Sequence, residues 1–267
     1  MKRHVISRII LGLTAAAILL PALVLLVWSL AGRWPWPDLL PECWSLRTAR
    51  ELLFGSASLP RLLLSSTLLA ALTALLSAAA ALLTARAAAL YPIPGKGLVR
   101  FCGLLPLLIP GTVFAMGIHL TLLRLGLTDT VAGVLVVHVT AAVPYAIAIM
   151  EDVTAAVGGG WEEQAAVLGA PPLRAFFSVS LPQLTPGLLA SMSMAFTISY
   201  SQYFSTLIVG GGRVRTLALV LVPYIQGGDR SLASVYAVAF TAWALAVFFL
   251  FECLIRRREK GGEAAWS

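Results

Sequence analysis

Residues 162–184 read EEQAAVLGAPPLRAFFSVSLPQL. The stretch is too polar to cross a bilayer, yet its residue order is not that of a plain loop. Positions 161–168 hold helix formers and no breaker, which predicts a short helix. Gly169 supplies the permissive backbone that commonly ends one. Pro172 suits the first turn of a second helix, where its missing N–H costs nothing. Leu173, Phe176 and Phe177 follow at i, i+3, i+4, the spacing of one apolar face. Leu181-Pro182 then predicts a stop, leaving helix, turn and short helix over 161–182.

On both sides of this segment the chain turns strongly apolar. Of its 267 residues 59% are hydrophobic and 12% charged, with a mean hydropathy of +0.90. Soluble domains are about half apolar and about a quarter charged, so the chain falls outside that class. Six runs, at 9–30, 62–83, 104–123, 131–150, 186–209 and 232–255, have the ~20-residue length that spans ~30 Å of hydrocarbon. They predict an all-α membrane protein, one domain over 1–267, with six transmembrane helices and the polar segment between spans 4 and 5. Pro21 falls inside the first run, as a membrane helix tolerates where neighbours re-satisfy the freed carbonyl. That run exceeds the length of a signal-peptide core and is expected to be a retained anchor.

The connections differ in character. Residues 31–61 carry Trp34, Pro35, Trp36, Pro37 and Trp44, and indole rings favour the headgroup zone. A short turn joins runs three and four. Residues 210–231 are Gly-rich, and the apolar part of 213–226 is expected to re-enter the membrane rim as a short helix.

The formal charge of +7 does not point to nucleic acid, because the basic residues flank spans, as with Lys2, Arg3 and Arg8 or Arg256, Arg257 and Arg258. They read as orientation signals and contacts to membrane lipid. An even number of spans puts both termini on one side. Assigning that side to the cytoplasm leaves the larger share of the 19 Lys and Arg residues inside. Cys43, Cys102 and Cys253 follow no metal-ligand spacing and are expected to be free thiols.

The 162–184 stretch resembles the signature of the inner-membrane component of binding-protein-dependent ABC importers: EAA, three residues, Gly, nine residues, Ile, any residue, Leu-Pro. Glu163, Gln164 and Ala165 stand at the EAA positions, with Gly169 and Pro182 at the required distances. Gln164 replaces Ala and Val179 replaces Ile. The resemblance implies a permease subunit of an ATP-driven importer in the bacterial cytoplasmic membrane, with 161–182 as a cytoplasmic coupling helix. Glu163, Ala165, Gly169, Leu173, Phe176, Phe177, Leu181 and Pro182 would then form the coupling site, Glu163 meeting a basic residue of the ATPase. The implied partners are a second permease subunit (a copy or a paralogue), two ABC ATPase subunits and an extracytoplasmic solute-binding protein. The competing reading is an amphipathic helix lying on the inner leaflet, which accounts for the apolar face alone. A second, shorter pattern, Gly210-Gly211-Gly212, Thr216-Leu217, Tyr224 and Gly228-Asp229-Arg230, is similar to permeases of the polyamine, thiamine and ferric-iron branch.

A pathway needs polar atoms inside the bundle. The fifth run offers Ser193, Thr197, Tyr200, Ser201 and Gln202, with Ser193, Thr197 and Tyr200 or Ser201 at helical spacing on one face. Helix cement, or bonds to their own backbone, is the alternative for the hydroxyls. His119 and His138 read as neutral imidazoles bonded to nearby backbone carbonyls. Asp129 and Asp229 should lie near the outer surface, and Glu252 with Arg256 reads as a solvated i, i+4 pair. No GxxxxGK[ST] loop, catalytic triad or metal cluster is visible, so no cofactor is expected here, and ATP with Mg would sit on the partner ATPase. An ion-gradient-driven secondary transporter is the rival function. It typically carries midplane carboxylates, which these runs lack.

Overall fold

A computed structural model describes residues 2–35, 38, 40–45, 47–54, 58–92 and 94–266, with backbone alone for 2–6, 49, 53, 54, 99, 100, 102, 107 and 259–266. Trp36, Pro37 and the thiol of Cys102 lie outside the described atoms. Cys43 and Cys253 are free and exposed.

Because hydrocarbon offers no hydrogen-bond partners, backbone in lipid must satisfy itself, and helices dominate. In chain order they are α1 (Lys2–Leu30), α2 (Arg47–Phe54), α3 (Leu59–Leu90), α4 (Lys96–Leu108), α5 (Gly111–Arg124), α6 (Val131–Val157), α7 (Gly160–Val167), α8 (Pro172–Ala175), α9 (Leu181–Ser201), α10 (Phe204–Gly210), α11 (Leu217–Gln226) and α12 (Arg230–Trp266). One departure from an all-α chain is a small antiparallel ribbon, β1 (Ala31–Arg33) with β2 (Cys43–Trp44), pairing Ala31 with Trp44 and Arg33 with Cys43.

Among the described residues four helices, α1, α3, α6 and α12, are long and apolar enough to cross a membrane. The third expected span is not one straight helix. α4 and α5 meet at a 100° bend, because Pro110 follows an extended Ile109 and cannot continue α4. The fifth expected span also divides: α9 ends at Ser201, Gln202 turns to extended backbone, and α10 restarts at Phe204. Its Ser and Thr content leaves α9 outside the apolar group.

The chain divides into two compact units. The first comprises residues 1–64 and 217–243. There Thr48 Oγ1 donates to the Ser29 carbonyl at 2.9 Å and Ser231 Oγ to the Ala31 carbonyl at 2.7 Å. Trp28 stacks on Trp34 with centroids 4.6 Å apart. Asp229 accepts from the Leu232 N–H and lies 3.9 Å from Arg47.

The second unit comprises residues 65–216 and 244–267. Its core is the α6–α9 pair, with α10 packed on α5 and α6. α3 buries Ala70, Ala74, Ala78, Ala81 and Ala85 and exposes Leu68, Leu72, Leu75, Leu76 and Leu83. This inverts the soluble pattern, because lipid solvates leucine as well as protein does and close helix approach rests on small residues. Gly187 of α9 serves the same end. A Cβ there would lie 2.7 Å from a Val153 methyl on α6. Thr130 caps α6 by accepting from the Gly133 N–H at 3.1 Å.

Candidate functional site: the segment between α6 and α9

α6 ends at Gly158 with φ +68, and Gly159 and Gly160 lead into α7, whose first turn carries Glu162 and Glu163. Carboxylates suit that end of the helix dipole. Gly169 adopts φ +83. Its N–H bonds the Ala166 carbonyl at 2.9 Å, and the Ala170 N–H bonds the Ala165 carbonyl at 3.0 Å. These two crossed bonds are a Schellman closure, which needs the left-handed residue that glycine provides. Pro171 is extended, and Pro172 opens α8 as expected.

The expected stop at Leu181-Pro182 is not there. Residues Phe176–Ser180 form a π-helical turn in which the Leu181 N–H reaches the Phe176 carbonyl five residues back. α9 follows without a break, Pro182 lying in its first turn. The wider turn fits a proline whose missing N–H and ring would disrupt an ordinary helix at this point. Leu181 is accordingly half-buried at the start of α9 and Pro182 exposed, neither belonging to a separate short helix.

Exposure corrects the expected apolar face. Leu173 and Phe177 are 74% and 61% exposed, but Phe176 turns partly inward. Two larger contributors lie outside the expected face, Val167 at 88% and Leu168 at 86% exposed. Glu163 and Gly169 share this exposed surface, and Ala165 is half-buried. Two apolar residues directly before the helix-ending glycine of a polar segment were the available signal. Such a cluster of bare aliphatic and aromatic side chains outside the membrane runs is a candidate contact surface.

Behind the exposed side lies an ion pair that the residue pattern does not suggest. Arg86 of α3 forks onto Glu162, with Nη1 2.8 Å from Oε1 and Nη2 3.0 Å from Oε2. Its guanidinium carbon also lies 4.6 Å from the Phe176 ring centroid. The side chains are 16% and 25% exposed, so solvent screens the pair only partly. The Arg86 hydrogen bond holds the Glu162 carboxyl below the usual carboxylate range, against the opposing effect of desolvation.

α9 separates its expected pathway residues. Thr197 and Ser201 are exposed and Ser193 half-buried on one face, whereas Tyr200 is buried and stacks on Phe196 at 5.7 Å. A step from Thr197 to Tyr200 turns the side chain toward the packed side. Thr197 Oγ1 donates to the Ser193 carbonyl at 2.9 Å and Ser201 Oγ to the Ile198 carbonyl at 3.0 Å. Gln202, at the break, accepts from Ser205 Oγ at 2.8 Å. It lines a cavity of about 420 Å³ together with Ile109, Pro110, Tyr145, Ile198 and Ser205. The α4–α5 bend and the α9–α10 break thus face one cavity, and irregular backbone at membrane depth is tolerated where it lines such a space.

His138 is bonded to side-chain hydroxyls, not to the expected backbone carbonyl. Its Nδ1 lies 2.8 Å from Ser199 Oγ and its Nε2 2.9 Å from Thr206 Oγ1. Ser199 Oγ donates on to Thr73 Oγ1 at 3.2 Å, and Thr206 Oγ1 to the Gln202 carbonyl at 2.8 Å. One imidazole therefore staples α9 to α10 across their break. Glu252 and Arg256 form the expected exposed pair at 2.8 Å.

Residues 80–260, which include the segment, the cavity and the staple, match the family described as the binding-protein-dependent transport system inner membrane component. The chain belongs to that family. Relatives in this family are described as ABC transporter permeases, which supports that class over an ion-gradient-driven secondary transporter. This permease is a multi-pass membrane protein. It is 27% identical over 182 residues to the sulfate transport permease CysT of Salmonella typhimurium, covering 62% of this chain and 66% of the relative. It is thus aligned to just under two thirds of that relative's length. To the putrescine transport permease PotI of Escherichia coli it is 27% identical over 219 residues, 76% of this chain and 77% of the relative. The permease fold is also that of a chain from a bacterial ABC transporter involved in import of the acidic polysaccharide alginate. That likeness has a TM-score of 0.71 at 17% identity, covering 93% and 95% of the two chains.

Proposed function

We propose that this permease forms part of a solute pathway across the cytoplasmic membrane and docks an ABC ATPase through the exposed side of residues 160–177, which excludes inward-facing Glu162. The observation that carries the docking reading is the bare cluster of Val167, Leu168, Leu173 and Phe177 around the closed turn at Gly169, beside exposed Glu163. An amphipathic helix on lipid would account for the apolar side chains. It gives no role to Glu163 or to a rigid knob closed by Gly169. Glu163 pairs with a basic residue of the ATPase, and the apolar cluster fills its groove.

In this reading the chain works as a six-helix permease, with the bent α4–α5 pair and α9 as the third and fifth passages and both termini cytoplasmic. A second permease subunit completes the pathway, two ATPase subunits hold ATP and Mg, and an extracytoplasmic binding protein delivers solute. This chain needs no cofactor of its own. Ser193, Thr197, Ser201 and Gln202 face the path, while Tyr200 supports it from behind. ATP binding draws the coupling segments together and opens the cavity outward, and hydrolysis resets it. The relatives named above are permeases of sulfate and putrescine transport systems, solutes of opposite charge.

The Leu168→Cys variant tests the docking. Its new thiol should cross-link to the co-expressed ATPase, and Glu163→Lys should weaken ATPase co-purification while the permease still inserts. If a membrane-impermeant thiol reagent reached position 168 of that variant only from the exterior of intact cells, the reading would fall.

A further inference from the structure

The coupling segment has two covalent exits of different stiffness. Toward α6 it leaves through Gly158, Gly159 and Gly160, three successive residues without side chains, the first at φ +68. Such a linker bends easily and passes little force. Toward α9 it leaves through Pro171, Pro172 and an unbroken helical path. α3 has no covalent link to the segment, yet Arg86 grips it at two points. Its fork takes both Glu162 oxygens on α7, before Gly169, and its face covers Phe176 in the π turn, after Gly169. One guanidinium thus fastens both arms of the knob to a single place on α3. Below that place α3 buries Ala81 and Ala85 against Met150 of α6 and Leu184 of α9.

We propose that Arg86 is a positioning residue of the transport cycle, tying both arms of the coupling segment to α3 so that the ATPase stroke moves that span. This rests on the docking reading given above. A lysine cannot replace it, since an ammonium offers neither a planar fork nor a stacking face. The arrangement differs from docking by Glu163, which faces outward, whereas Glu162 faces inward.

The test uses the full permease co-purified with its ATPase and reconstituted in nanodiscs, with spin labels on cysteines at Leu83 of α3 and Gln164 of α7. Mg-ATP with vanadate is the probe. In the parent protein the interlabel distance should stay constant on trapping. In Arg86→Gln and in Glu162→Gln it should change by about 2–5 Å, the scale of helix shifts in switching proteins. Both variants should retain the ATPase, and Arg86→Lys should behave like Arg86→Gln. A constant distance in all three variants overturns the proposal. So does loss of the ATPase in proportion to loss of the ion pair, which would make Arg86 part of the docking scaffold. If the unsubstituted permease holds no ATPase and the Leu168→Cys variant gives no cross-link, the docking reading itself fails and the proposal with it.

Discussion

Gly169 holds φ +83 with open space where a Cβ would be, so its constraint is conformational and not steric crowding. A β-branched residue there costs about 1–2 kcal/mol. Gly169→Val should therefore reduce ATPase retained per permease roughly tenfold, and Gly169→Ala less, read from co-purification. Glu162 gives a pH prediction. Its carboxyl is held low in the folded protein by Arg86, so the contribution of the pair is complete above the ordinary carboxylate range. That contribution disappears as pH falls through the lowered value. Amide exchange in α7, corrected for intrinsic rate, should therefore be flat from neutrality to mildly acidic pH and rise only below. In Glu162→Gln this step should be absent. The helix-ending turn at Gly169 is readable from the local sequence alone. Arg86 is not, because its partner lies 76 positions away and nothing local marks it.

Helices α6 and α9 meet where Gly187 faces Val153. Gly187→Leu should overpack this contact and destabilise the protein by about 1–3 kcal/mol. A lower thermal midpoint in detergent, partly recovered by Val153→Ala, checks it. The His138 staple makes the α9–α10 break a built feature. His138→Leu removes the imidazole from Ser199 and Thr206, leaving buried hydroxyls less satisfied, at about 1–3 kcal/mol. Proteolytic nicking near Gln202 should increase in that variant, while Thr140→Val, at a half-buried position whose hydroxyl bonds the Val136 carbonyl of its own helix, should leave it unchanged. Hydropathy predicts a continuous run over 186–209 because apolar length does not register a backbone turn. Pro110 signals the other break, but a proline inside an apolar run is equally compatible with a kinked span.

For the whole molecule, the docking reading requires that 160–177 and the turn at Gly211-Gly212 face opposite sides of the membrane. Cysteines introduced at Leu168 and Gly212, labelled with an impermeant reagent in intact and in inverted vesicles, should show opposite accessibility. Equal labelling from one side would overturn the proposed orientation. The order of residues was enough to establish membrane residence, helical class and the family, since apolar length, charge placement and motif spacing are properties of the linear chain. Tertiary structure alone decided which side chains stay bare and which are gripped. It turned Phe176 and Tyr200 inward, left Val167 and Leu168 uncovered, and joined Arg86 to Glu162. Those outcomes follow from how distant segments pack, and a helical period fixes a face without fixing what that face meets.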